Sequence, residues 1–118
     1  MTVKQFYEEI HGDYEEILGR LASEDRIKRF LIKFLETDDM TSLKAAWKDN
    51  NIEEIFGYAH RIKGISLNLS LSNLATYSSE LTEEYRGGGP KDEQKAQEWY
   101  SKCVEEYEMI VANIAKIE

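Results

Sequence analysis

Apolar residues recur along this chain three and four positions apart, and no stretch alternates in twos long enough to make a strand. That period lays one apolar stripe along each of several helices. Val3, Phe6, Tyr7 and Ile10 form a first, short stripe, which Gly12 stops. Asp13, with Glu16 three residues on, caps a second short helix carrying Tyr14, Ile17, Leu18 and Leu21. Ser23 reads as the N-cap of a third, with Glu24 and Asp25 in the first turn, where the helix dipole favours acids. Its stripe is Ile27, Phe30, Leu31, Phe34 and Leu35. Thr37-Asp38-Asp39 interrupts the pattern before Met40, Leu43, Ala46 and Trp47, which follow either after a bend or in a separate helix.

Lys48-Asp49-Asn50-Asn51 is a turn, and Asn51 with Glu54 resembles a capping box. The helix it opens carries Ile52, Ile55, Phe56, Ala59, Ile62, Ser66 and Leu69 on one side. Leu74, Tyr77, Ser78, Leu81 and Tyr85 continue the pattern to about residue 86. Gly87-Gly88-Gly89-Pro90 is the strongest break, too short for a domain linker and suited to a helical hairpin. Pro90 near a helix start loses nothing, since its N–H would be unpaired there. A last stripe runs from Ala96 through Trp99, Tyr100, Cys103, Val104, Tyr107, Ile110, Val111 and Ile114 to Ile117. Its aromatic residues share one face, which predicts core packing over a ligand surface. Four substantial helices follow: residues 23–49 in one or two pieces, 51–69, 72–86 and 91–117. Short connections between them predict an all-α fold, an antiparallel four-helix bundle (up-down-up-down) with one or two short extra N-terminal helices.

Composition narrows the class. The 118 residues fit one domain, 1–118, large enough to build a core without staples. No apolar run is long enough to span a bilayer, and the N-terminus lacks a signal peptide's basic-then-apolar character, so a cytoplasmic location and no membrane partner are expected. The single Cys103 excludes an intramolecular disulfide, offers no metal-ligand spacing and reads as a small core residue. A net charge of −8 argues against nucleic acid. The local cations Arg26, Lys28, Arg29 and Lys33 interleave with an apolar stripe and read as a solvated face, or secondarily as a rim attracting an acidic partner.

Candidate chemistry concentrates at Ala59-His60-Arg61-Ile62-Lys63-Gly64. At about 100° per residue, His60 falls at the border of its helix's apolar stripe. Lys63 and Gly64 follow one turn on, so an imidazole stands beside an ammonium and a position with no side chain. Gly inside a helix costs about 1 kcal/mol relative to Ala, which requires a reason. Gly64 either lets a neighbouring helix approach or clears room for a partner to reach His60. Imidazole, with an ordinary pKa of about 6.5, offers a nitrogen lone pair near neutral pH without a strong base.

Ala59, His60, Ile62, Lys63, Gly64 and Leu74 stand in the register of the histidine-containing phosphotransfer family, which this chain resembles over nearly its whole length once helix order is included. It departs at Ser70, where the family carries Gly and where this helix ends. The resemblance implies that His60 accepts a phosphoryl group, that Lys63 stabilises its charge, and that Gly64 gives access. Phe56, Arg61 and Leu67 would be partner-binding. It also implies receiver domains of response regulators or hybrid histidine kinases as partners, with the magnesium ion on the receiver and no cofactor on this chain. With no Gly-rich phosphate loop and no nucleophile–base set, a phosphocarrier without kinase activity is expected rather than an enzyme. A monomer is expected, since no apolar surface beyond one stripe per helix is visible, and Met1 with capped helix ends suggests a stand-alone protein. The rival reading is a non-catalytic helical docking module that binds receivers or kinases without carrying phosphate; Ser70 favours it, while His60 with Lys63 counts against it. His11 has no partner motif and reads as a cation at a helix C-terminus.

Overall fold

The computed structural model describes residues 1–118. It has seven helices and no strand: α1 (Val3–Glu9), α2 (Tyr14–Leu21), α3 (Glu24–Leu35), α4 (Asp39–Lys48), α5 (Ile52–Asn68), α6 (Ser72–Tyr85) and α7 (Glu93–Ile114). α4, α5, α6 and α7 pack in sequence order as the bundle, which is elongated at 40 × 21 × 18 Å. α1, α2 and α3 cover one end, where α3 meets α1, α2 and α7. No helix is long and apolar enough to cross a membrane.

Most of the predicted caps form. Asp13, Ser23 and Asn51 each accept a hydrogen bond from a backbone N–H in the first turn of α2, α3 and α5, and Asp92, which the sequence pattern did not single out, does the same for α7. The Asn51 side-chain amide in turn donates to the Glu54 carboxylate at 2.6 Å, a variant of the capping box. The open question about residues 36–39 resolves as a break, with α3 and α4 separate. Pro90 does not start α7: the helix begins only after Asp92, and Lys91 N–H instead donates to the Glu84 carbonyl at 3.0 Å. Gly89 is obligatory in that turn, because a Cβ there would lie 2.2 Å from the Glu84 carbonyl oxygen.

One continuous core joins the helices. Small residues let α5 and α6 approach closely: Ala59, Ser66, Ala75 and Ser78 are buried between larger neighbours. The Ser66 and Ser78 hydroxyls donate to the carbonyls of Ile62 and Leu74 at 2.6 Å, so their burial leaves no polar group unpaired. Trp47 stacks on Tyr100 at 4.1 Å and meets Tyr85 edge-on, tying α4 to α7 and α6. The aromatic residues of α7 are half-buried and pack against that core, and Cys103 is fully buried on the same helix, its thiol pushed up to about 12 by burial.

The α3 stripe is only partly covered. Ile27, Leu31 and Phe34 are buried, but Phe30 and Leu35 stay exposed because α3 lies at the bundle's end with few neighbours. With Ile32 and Leu67 also exposed, more apolar surface remains open than one buried stripe per helix predicts.

Candidate functional site

α5 owes its orientation to Ile55, Ala59, Ile62 and Ser66, all buried against the bundle. Those four positions turn His60, Gly64 and Leu67 outward, and all three are exposed. The Phe56 ring, half-buried one turn before His60, lies parallel to the imidazole with centroids 6.0 Å apart and planes 5° from parallel. Lys63 is half-buried on the α6 side, where it borders an open groove with Leu67, Thr76, Ser79 and Glu80.

Gly64 decides between its two readings. A Cβ built there meets nothing within 4 Å, so no helix of this chain needs the glycine. The neighbouring-helix explanation is excluded, and the bare surface faces outward beside His60. Gly57, one turn before His60, is equally unobstructed and was not anticipated from sequence. The imidazole therefore stands on a helix face with little beside it to obstruct an approaching surface.

Three acidic side chains near these elements, Asp39, Glu83 and Glu84, are engaged. Asp39, at the start of α4, is buried and forms an ion pair with Arg61, Oδ1 to Nε 3.1 Å. Arg61 is thus anchored at its tip while most of its side chain stays exposed, and its guanidinium also approaches the Tyr58 ring at 6.0 Å. Glu83 accepts from Arg86 Nε at 2.8 Å, which holds the Glu83 carboxyl below the usual carboxylate range, with smaller help from Lys91 and Lys63. Glu84 accepts from Asp92 N–H at 2.8 Å in the following turn. Arg86 in addition stands 5.3 Å from the Phe56 ring centroid. Nothing local in the sequence marks Glu83 or Arg86. They reach the site because residues equally distant from the α5–α6 turn face each other across an antiparallel hairpin, which brings the end of α6 beside Phe56.

Ser70 occupies the backbone geometry that a glycine would favour. Its φ is 54°, the left-handed residue after the C-cap of α5. Ser70 N–H donates to the Leu67 carbonyl at 3.2 Å and Leu71 N–H to Ser66 at 2.9 Å, the paired bonds of a Schellman ending. The Ser70 hydroxyl donates to Glu16 at 2.7 Å, and Arg20 donates to the Leu67 and Asn68 carbonyls. These contacts offset the cost of left-handed backbone at a residue with a Cβ. The N-cap of α6 is the next residue, Leu71.

The same ending occurs after α1, with His11 left-handed at φ 56° and Gly12 N–H bonded to Tyr7. Gly12 serves close approach: a Cβ there would lie 2.9 Å from the Ser70 carbonyl oxygen and 2.7 Å from the Tyr7 ring. His11 is exposed at that helix end, and its charge acts on Glu106 of α7.

Fold and site together define a helical bundle that displays one histidine, flanked by a lysine and an unobstructed glycine, on the outer face of an inner helix. The chain belongs to the Hpt domain family, whose model matches residues 29–115. Comparison with curated proteins and with solved structures gave no match. Hpt domains are phosphocarriers of two-component phosphorelays rather than kinases, and they interact with receiver domains. α1, α2 and the first turn of α3 precede the matched residues.

Proposed function

We propose that this chain is a phosphorelay intermediate which takes a phosphoryl group onto His60 from a receiver-domain aspartate and passes it to another. The observation that carries this reading is the exposed imidazole between two unobstructed glycines, with the Lys63 ammonium one turn away. A neutral ring nitrogen attacks the phosphorus of an aspartyl phosphate; the N–P bond forms, the P–O bond breaks, and the carboxylate leaves with the electron pair. Charge spread over the three equatorial oxygens would be met by Lys63. The receiver's magnesium ion supplies charge neutralisation on the partner's side, and no cofactor is required on this chain.

Phe56, parallel to the His60 imidazole, and the exposed Arg61 and Leu67 on the same helix would contact the receiver. The receivers of response regulators or hybrid histidine kinases are the partners this reading requires, with the chain acting as a monomer in the cytoplasm. The docking-module alternative drew support from Ser70, and that support weakens, since serine here adopts the left-handed turn and is held by Glu16. The test is intact-mass analysis after mixing with a phosphorylated receiver. A gain of one acid-labile phosphoryl group, absent in His60→Gln, is expected. Binding without any gain would establish the docking module instead.

A further inference from the structure

His60 is not an isolated ring. Its imidazole lies parallel to Phe56, Phe56 faces the Arg86 guanidinium at 5.3 Å, and Arg86 is held by Glu83 at 2.8 Å. Four side chains from two helices thus form one chain of contacts ending at the phosphoryl acceptor. Arg86 is the C-cap residue of α6, where its extended backbone leaves the helix, so its position depends on the hairpin turn that follows. The hollow beside Phe56 is bordered by Gly87 and Gly88, both with positive φ, which keep side chains out of the space next to the ring.

We propose that Glu83, Arg86 and Phe56 act as a positioning relay that holds the His60 imidazole in one orientation for transfer. This rests on the carrier function proposed above. The cation attracts the electron-rich face of Phe56 and limits its rotation, and the ordered phenyl ring then restricts the imidazole packed parallel to it. A histidine side chain left free samples about six arrangements, three staggered χ1 wells and a broad two-fold χ2. If one presents the nitrogen correctly, the competent fraction rises by up to about sixfold when that rotamer is selected. Arg86 faces the Phe56 ring, and its effect on His60 travels through that ring. Glu83 matters because without it the guanidinium is free to leave the ring.

The experiment is rapid-quench phosphoryl transfer from a phosphorylated receiver to the full chain across receiver concentrations. Arg86→Ala, Arg86→Lys and Glu83→Gln are compared with wild type, with proton NMR of the His60 ring in each. Helical content by circular dichroism confirms that the variants fold; both residues are surface side chains. The expected result is a three- to sixfold lower saturated rate in Arg86→Ala at an unchanged half-saturating concentration, with displaced His60 ring resonances. Arg86→Lys recovers part of the rate, because an ammonium also sits over an aromatic face, and Glu83→Gln falls between wild type and Arg86→Ala. An unchanged saturated rate in Arg86→Ala overturns the inference while leaving the carrier reading intact. So does a change confined to the half-saturating concentration, which would make Arg86 a docking contact. A wild-type chain that accepts no phosphoryl group overturns the carrier reading, and the relay with it.

Discussion

Replacing Gly64 separates stability from function in opposite directions. A Cβ at this position meets nothing within 4 Å, so neither Ala nor Leu clashes with the folded chain. Both are strong helix formers, and replacing an interior helical glycine stabilises by about 1 kcal/mol. For a domain of this size that is a rise in Tm of about 3–6 °C. Function moves the other way, because the added atoms stand where a docking surface must come within bonding distance of His60. Misplacing reacting groups by about 1 Å costs on the order of a hundredfold in rate. Gly64→Ala, adding one methyl, should slow transfer from a receiver modestly, and Gly64→Leu should slow it by at least about tenfold. Thermal unfolding by circular dichroism and transfer rates on the same preparations make the comparison. Destabilisation of Gly64→Ala would refute the claim that the glycine faces outward. A wild-type transfer rate in Gly64→Leu would refute the claim that it gives access.

Other expectations concern the body of the fold. Tyr7→Phe removes the buried hydroxyl that donates to the Leu69 carbonyl at 2.7 Å, and should cost about 1–3 kcal/mol in urea unfolding with an unchanged slope, since it leaves that carbonyl unpaired. Burial raises the Glu106 carboxyl above its usual range, with His11 opposing, so the folded state binds its proton more readily than the unfolded state. That disfavours folding as pH rises through the window from the ordinary carboxylate pKa to the raised one, and the penalty is absent in acid below it. Glu106→Gln should therefore raise Tm at neutral pH, with the gap closing as pH falls below that window; a constant gap at all pH would contradict the assignment. Cys103, pushed up to about 12 by burial, should resist alkylation by iodoacetamide at pH 8 until the chain is unfolded, as read by intact mass.

How much of this was legible in the sequence follows from how local each cause is. The stripes through Ile55, Ala59 and Ile62, and through Cys103 and Ile110, have a clear helical period, and the caps at Ser23 and Asn51 act within one turn; both were readable. Phe30 and Leu35 show the limit: they continue the α3 stripe in sequence, yet only tertiary neighbours decide which stripe residues are covered. The Asp39 ion pair was not legible, because its partner, Arg61, lies on another helix. The His60, Lys63 and Gly64 arrangement was visible because all three lie on one helix, one turn apart. Glu83 and Arg86 were not, since their approach to Phe56 depends on α5 and α6 pairing around the Ser70 turn. Ser70 itself shows why a pattern mismatch needs the backbone: its departure from glycine changes the residue and keeps the turn.

The most direct test of the central claim is two-way transfer. The chain is loaded from a phosphorylated receiver, freed of that donor, mapped by peptide mass spectrometry at neutral pH, and then mixed with an unphosphorylated receiver. The account predicts the phosphoryl group on the peptide containing His60 and not on that containing His11, followed by its loss from this chain as the second receiver gains it. A phosphoryl group at His11, or one on His60 that no receiver removes, would contradict it.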